Sequence, residues 1–171
     1  CDAVAKIYST LISGTKDYGG DYSSIVPLLP TGKGTSASHL TWSDDKFVDG
    51  EASIIEISGA YKKYHCPMAR TVLLGKPDQK KIDTMKKTRE ALEAGINATK
   101  PGNTADDVAQ AFWAVLDKYG IEKKSRTGYS IGIGYPPDWG EHTLNIQKGD
   151  KTILEKNVCF HMIAVMQFGD W

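Results

Sequence analysis

The 171-residue chain carries 21 basic and 21 acidic residues, so its formal net charge is zero. This balance, without a basic stripe interleaved with aromatic residues, excludes a typical nucleic-acid-binding surface. The longest apolar run is too short to span a bilayer, so we expect no membrane partner either. The three cysteines are widely spaced and form no CxxC pair, which predicts a reducing, cytoplasmic location.

The first 50 residues predict one helix followed by extended and loop segments. Apolar residues recur at helical spacing from Val4 to Ile12, and Gly14 is placed to end that helix. The segment 24–30 contains two prolines, which favour an edge strand or a loop. A Gly/Ser/Thr loop follows at 31–38. The first residue is a cysteine and no signal peptide follows it, so we expect a cut from a longer chain.

The middle of the chain predicts two strands. Isoleucines crowd the run 53–58, which is typical of a strand. Gly59-Ala60 is predicted to be a turn, after which 61–64 would return beside the first strand. The run 70–75 predicts the next strand.

Two helices and a final set of strands complete the chain. The segment 78–98 is a charged amphipathic helix, and a second helix is predicted to begin at Asn103 or Thr104 and to stop at Gly120. Strands are predicted at 129–135 and 158–166. Because no linker or repeat interrupts this order, we expect a single α+β domain over residues 1–171.

The most informative single residue is Glu56, inside the isoleucine-rich strand. It shares one strand face with Ile54 and Ser58. A carboxylate flanked by isoleucines is expected to be at least half-buried, and a buried carboxylate requires a partner. Arg70 or a bound cationic ligand would serve. The alternative is an edge strand whose glutamate leans into solvent.

Histidines are the natural candidates for proton transfer. His39 follows the flexible loop and precedes Leu40-Thr41-Trp42, a context found at active sites as well as on ordinary surfaces. His161 lies in an apolar strand, where a core histidine satisfied by one hydrogen bond is the alternative. His65 and His142 have weaker contexts, and we expect both to be solvated.

Aromatic side chains lie close in sequence to these segments. Aromatic faces attract cations, each good contact contributing about 0.5–2 kcal/mol. The alternative for several of them is a place in the core. The aromatic residues concerned are Trp42, Tyr61, Tyr129, Tyr135 and Trp139.

Neither a metal nor a nucleotide site is predicted from motifs. Glu56, His161 and Glu141 are possible metal ligands, but the chain has no HExxH, CxxC or paired-aspartate strand motif. Asp106-Asp107 is better explained as the acidic first turn of a helix. The glycine-rich run 129–134 precedes Pro136-Pro137, which prevents the helix that a phosphate loop requires. No cofactor is therefore expected.

Several motifs together resemble the creatinase/aminopeptidase P/methionine aminopeptidase family, whose catalytic domain has the pita-bread fold. They are Ile55-Glu56-Ile57-Ser58-Gly59, the run 64–71, Gly75-Lys76-Pro77 and Lys100-Pro101-Gly102-Asn103-Thr104. Within the family, the segments 20–30, 39–42 and 126–141 resemble members that open a small cyclic amidine. The resemblance implies an α+β pita-bread catalytic domain at 1–171, lacking the family's N-terminal domain and last strands. It also implies a homodimer.

The resemblance implies five metal-ligand positions that this sequence does not preserve. The first aspartate position holds Glu56, the second Pro67, the histidine position Tyr129, and the first glutamate position falls near Ile163. The last would lie beyond Trp171. Creatinase, in the same family, works without metal. We therefore expect a metal-independent enzyme.

The resemblance implies a C–N hydrolase whose substrate is a small zwitterion. Glu56 would attack the amidine carbon or activate water, and His39 would deliver protons to the leaving nitrogen. His161 and Glu141 would orient the substrate, and Arg70 and the five aromatic residues would bind it. A creatinase-like hydrolase, an Xaa-Pro dipeptidase and a non-catalytic zwitterion-binding module are the alternatives.

Overall fold

The structure is a computed structural model that describes residues 1–168, which form two compact units. The first unit comprises 1–78, 131–140 and 167–168, and the second comprises 79–130 and 141–166. Two strands pass from one unit to the other along the chain. The α+β composition predicted from the sequence is confirmed.

The first unit contains helix α1 (Asp2–Ser13) and the strands β1 (Ala52–Tyr61) and β2 (Tyr64–Leu73). The predicted helix and its end are correct, since Gly14 caps it with a φ of 69°, a conformation that glycine adopts without strain. A 3₁₀ turn at Gly32–Ser36 occupies the predicted loop. β1 and β2 pair antiparallel throughout, from Ala52 opposite Leu73 to Tyr61 opposite Tyr64.

The turn between β1 and β2 differs from the prediction. It is formed by Lys62 and Lys63, with φ of 49° and 67°, rather than by Gly59-Ala60. A two-residue hairpin turn with positive φ at both positions matches the twist of the strands, but normally uses Asn or Gly. Both strands are consequently longer than predicted, and 64–75 is not divided into a return segment and a separate strand.

β1 is not an edge strand. β2 lies along one side of it, and the segment that includes Leu28 and Thr31 lies along the other. Leu28 and Glu56 exchange both backbone hydrogen bonds at 2.9 Å, and Ile54 N–H donates to the Pro30 carbonyl at 3.0 Å. The interpretation of Glu56 as a solvated edge residue is therefore wrong.

The second unit contains two helices, α2 (Gln79–Ala98) and α3 (Ala105–Lys118). The start of α3 is confirmed in detail, because Thr104 accepts from Asp107 N–H and the Asp107 carboxylate accepts from Thr104 N–H. This reciprocal capping box satisfies two N–H groups that the helix leaves unpaired. Gly120 follows the C-cap residue Tyr119, as predicted.

The remaining strands are β3 (Gly128–Tyr135), β4 (Asp138–Ile146) and β5 (Phe160–Met162). β3 begins in the second unit, where its first three residues pair antiparallel with β5, and ends in the first, where Ile133 pairs with Tyr64. β4 was missed by the sequence prediction, which assigned its start to a turn. β5 is much shorter than the predicted strand at 158–166.

The second unit has the larger apolar core. Its buried residues come from α3, β4 and the segment before β5, and a second cluster joins α2 to α3. The buried members are Ala91, Ala105, Val108, Ala109, Phe112, Leu116, Leu144, Ile146 and Leu154. Phe160 and Met162 of β5 pack against the cluster that includes Ala105, Val108 and Ala109 of α3.

Candidate active site

Glu56 lies in the middle of β1 and is half-buried, as expected from its isoleucine neighbours. Its cross-strand neighbour is Ala69, which has a small side chain. Burial raises the pKa of the Glu56 carboxyl above its ordinary value, and the nearby charge of His39 acts in the opposite direction. A carboxyl with a raised pKa is a stronger base than a solvated one.

His39 is the residue whose charge lowers the pKa of Glu56 against the effect of burial. It is exposed and has a φ of 62°, an uncommon conformation for a non-glycine residue. Its ring makes no hydrogen bond within residues 1–168. An exposed imidazole whose charge acts on a half-buried carboxyl is a candidate acid–base partner for that carboxyl.

Arg70 is not the partner of Glu56. In the β1–β2 register it lies opposite Ile55, so its side chain is on the other face of the hairpin from Glu56. It is exposed, and its guanidinium donates to the Ala69 carbonyl at 2.7 Å. Arg70 is therefore excluded as a candidate partner of Glu56, and its role in substrate binding stays a prediction.

His65 was expected to be solvated, but it is buried, with 5% of its surface exposed. Its Nδ1 lies 2.8 Å from the Lys63 carbonyl, and its Nε2 accepts from Ser24 N–H at 2.9 Å and lies 3.0 Å from Ser24 Oγ. A carbonyl only accepts, so the proton is on Nδ1 and the ring is neutral. His65 thus ties the segment before Leu28 to β2. The burial of His65 did have a signal in the sequence. His65, Pro67 and Ala69 alternate along β2, so their side chains lie on the same face of the hairpin as Glu56.

The aromatic residues of the first unit occupy different environments. Trp42 is half-buried and packs edge-on against Tyr8, with 6.3 Å between ring centroids. Tyr61 stacks on Tyr18 at 4.3 Å and is exposed, as is Tyr135. Trp139 is 1% exposed and belongs to the interior of the unit. Their roles in substrate binding remain predictions.

In the second unit, β3 and β5 bring Tyr129 and His161 together. The two residues are paired in register, and their rings meet edge to face at 5.6 Å. The Arg126 guanidinium lies 4.3 Å from the centre of the Tyr129 ring. His161 is buried, as its apolar strand predicts, whereas Glu141 is exposed at the surface of this unit. The predicted catalytic roles of His161 and Glu141 have not been tested.

Lys123 is a buried lysine that no sequence pattern predicts. It is 8% exposed, and its ammonium donates to Ser125 Oγ at 2.5 Å and to the Val165 carbonyl at 3.2 Å. Burial lowers the pKa of Lys123 to about 8. A short charged segment, 122–126, gives no periodic pattern from which such burial could be predicted.

The donor set around Glu56 does not fit the two-metal site that the family resemblance implies. Pro67, at the second aspartate position, lies opposite Ser58 on the same face as Glu56 and has no atom that can bind a metal. Among residues 1–168, no group of three His, Cys, Asp or Glu side chains is placed to hold a metal ion. The reaction proposed below therefore uses no metal ion.

Comparison with known proteins identifies the family. The model of metallopeptidase family M24 matches residues 1–170. The chain is 46% identical over 174 residues to an ectoine hydrolase of Halomonas elongata, covering 98% of this chain and 44% of that protein. It is 38% identical to an uncharacterized hydrolase/peptidase of Sinorhizobium fredii, covering 96% and 42% respectively.

Solved structures share the fold. A prolidase from Pyrococcus furiosus superposes with a TM-score of 0.78 at 21% identity, over 93% of this chain and 45% of that one. An X-Pro aminopeptidase from Thermotoga maritima gives a TM-score of 0.76 at 19% identity. These matches confirm the predicted pita-bread fold. The chain spans less than half the length of these relatives. In the part of the chain that the structure describes, no helix has the length and apolar character to cross a membrane.

Proposed function

Because this chain belongs to metallopeptidase family M24, we propose that the protein is a hydrolase of C–N bonds whose substrate is the cyclic amidine ectoine. The observation that carries the proposal is the half-buried Glu56 carboxyl in the middle of an interior strand, and the charge of exposed His39 acts on its pKa. The similarity to an ectoine hydrolase, spread over 98% of this chain, supports the choice of substrate.

A cationic substrate suits this pair of residues. The amidine of ectoine is protonated at neutral pH, so its ring carbon is already electron-poor. In peptide hydrolysis, a metal ion acting as Lewis acid supplies that polarisation to a neutral carbonyl. A cation next to Glu56 also stabilises the ionised carboxylate, which opposes the effect of burial on its pKa.

The proposed reaction consumes one water. Glu56 takes a proton from water while the water oxygen forms a bond to the amidine carbon, and the C=N electron pair moves to the ring nitrogen. The tetrahedral carbon then forms a carbonyl as its bond to one ring nitrogen breaks. His39 in its protonated form gives that nitrogen one proton, and the proton of the carbon-bound hydroxyl passes to the same nitrogen through solvent, which leaves it as an ammonium. Glu56 passes its proton to His39, so both residues regain their starting states. The product is ring-opened N-acetyl-diaminobutyrate.

A covalent variant uses the same residues. The Glu56 carboxylate would bond to the amidine carbon as the C=N electron pair moves to its nitrogen, and the bond to one ring nitrogen would break as His39 gives that nitrogen a proton. Water would then add to the carbon of this acyl-type intermediate and displace the Glu56 carboxylate in a second step. Mass spectrometry of acid-quenched enzyme distinguishes the two routes, because only the covalent route adds substrate mass to the peptide that contains Glu56.

The test of the proposed function is turnover by the intact protein, with ectoine, creatine and an Xaa-Pro dipeptide assayed side by side. We expect hydrolysis of ectoine that survives extensive treatment with a chelator. Turnover of creatine alone would favour a creatinase-like enzyme, and dipeptide hydrolysis that is lost with the chelator and restored by Mn²⁺ would favour a peptidase. Tight binding of ectoine without turnover would favour a binding module. We further propose a cytoplasmic homodimer, testable by fractionation and by sedimentation.

A further inference from the structure

A separate cavity lies in the first unit, beside the last turns of α1. Its volume is about 160 Å³, and its walls include Leu11, Ile12, Ile25 and Ile57, with Asp21 and Ser23 as polar residues. Neither Glu56 nor His39 lines it. An apolar cavity of this volume is large enough for one six-membered ring.

The loop that closes the cavity is fixed by close backbone contacts. A Cβ on Gly20 would lie 1.8 Å from the Leu11 carbonyl oxygen, and one on Gly14 would lie 2.4 Å from the Tyr18 carbonyl oxygen. Gly20 N–H also donates to the Ile12 carbonyl at 3.0 Å. Only glycine permits this approach, so the loop is held against α1 and presents Asp21 and Ser23 to the cavity in a preformed arrangement.

The charge at the cavity is already balanced. Asp21 Oδ1 accepts from the Lys63 ammonium at 2.6 Å, and that ammonium lies 3.2 Å from the centre of the Tyr22 ring. The Lys63 hydrogen bond lowers the pKa of the Asp21 carboxyl. Because the pair has no net charge, an incoming ion of either sign would gain little attraction to offset the loss of its hydration, whereas a neutral molecule loses much less on leaving water.

The hydroxyl of Ser23 is a buried polar group without a hydrogen-bond partner among residues 1–168. Buried hydroxyl groups are normally paired, so an unpaired one calls for an explanation. Rotation about χ1 of a serine moves the hydroxyl between staggered positions, which allows a residue on the cavity wall to turn its hydroxyl toward an occupant.

We propose that this cavity is a binding site for a neutral, ring-sized organic molecule that carries a single hydroxyl or amide group. The isoleucine and leucine walls hold the ring, and the Ser23 hydroxyl pairs with the polar group. The proposal is independent of the chemistry at Glu56, and its test does not use catalytic activity.

The test uses three probes that share one ring and differ in charge: cyclohexanol, cyclohexylammonium and cyclohexanecarboxylate. Binding is followed by NMR of the intact protein with labelled isoleucine methyl groups. We expect cyclohexanol to shift the methyl signals of Ile12, Ile25 and Ile57, with a dissociation constant on the order of millimolar. The isoleucines of the second unit serve as internal controls.

Variants at Leu11 and Ser23, with Ile96→Phe as control, show whether the methyl shifts come from binding in this cavity. Leu11→Phe places a ring in the cavity and should abolish the shifts, whereas Ile96→Phe, at an exposed position of α2, should leave them unchanged. Ser23→Ala should weaken cyclohexanol roughly fivefold to tenfold and leave methylcyclohexane unaffected. The proposal would be overturned if either ion bound more tightly than cyclohexanol, or if the shifts persisted in Leu11→Phe. It would also be overturned if Ser23→Ala weakened cyclohexanol and methylcyclohexane equally, or if cyclohexanol gave no shift at about ten times the expected dissociation constant.

Discussion

Replacing His65 by alanine should destabilise the first unit strongly, because one imidazole satisfies several buried groups. The change leaves Ser24 N–H and Ser24 Oγ without their acceptor, and Ser24 is only 7% exposed. The Lys63 carbonyl loses one bond but keeps Gly134 N–H at 3.0 Å. An unmet buried polar group costs about 1–3 kcal/mol, and the missing ring leaves a small cavity.

Together these effects predict a loss of about 3–5 kcal/mol in the free energy of unfolding, or roughly 6–20 °C in melting temperature. Urea unfolding and calorimetry measure both quantities. His142→Ala is the matched control, since His142 is exposed, and it should cost less than about 1 kcal/mol. His65→Gln, which keeps an acceptor and a donor at the end of the side chain, should recover part of the loss.

A stability of His65→Ala within about 1 kcal/mol of the parent would refute this reasoning. It would mean that Ser24 finds another acceptor or that the segment before Leu28 is not held by the histidine. Either explanation would also weaken the conclusion that His65, by tying the segment before Leu28 to β2, supports the backbone pair of Leu28 and Glu56.

Three further changes test other parts of the structure. Glu56→Gln removes a carboxyl whose raised pKa makes the folded state bind its proton more tightly than the unfolded state. Parent stability should therefore fall as pH rises above the ordinary glutamate value, and urea unfolding of the variant should lack that fall. Lys123 has a lowered pKa of about 8, so parent stability should rise between about pH 8 and 10.5 by up to about 1.4 kcal/mol per pH unit. Lys123→Met should remove this rise, and an unchanged slope would show that Lys123 is not the group responsible. Thr104→Ala breaks the capping box and should cost about 1 kcal/mol, measured by thermal melting. Thr99→Ser is a mild control, because Thr99 is half-buried and serine keeps the hydroxyl that donates to the Gly95 carbonyl. No change in Thr104→Ala would argue against the cap.

Local signals accounted for much of the fold. The spacing of Val4 to Ile12 and the stop at Gly14 give α1, and Thr104 with Asp107 gives the start of α3. Each of these features depends on residues within a few positions of one another, so they are readable from the chain alone.

Features that depend on distant contacts could not be read in this way. The turn at Lys62-Lys63 lacks the usual glycine or asparagine, and the Lys63 ammonium binds Asp21, 42 positions earlier in the chain. The burial of His65 likewise depends on Ser24, and the position of Glu56 in an interior strand depends on Leu28. At the site, the residue types predicted a half-buried carboxyl at Glu56, but the register of β1 and β2 was needed to exclude Arg70 as its partner.

The central claim is that Glu56 performs the chemistry on a cationic substrate. Its most direct test is the turnover of ectoine by Glu56→Gln in the intact protein, with Glu51→Gln as control at an exposed acid just before β1. We predict that Glu56→Gln loses at least about 10³-fold in kcat while retaining substrate binding, and that Glu51→Gln stays within about twofold of the parent. Near-parental turnover by Glu56→Gln would contradict the account.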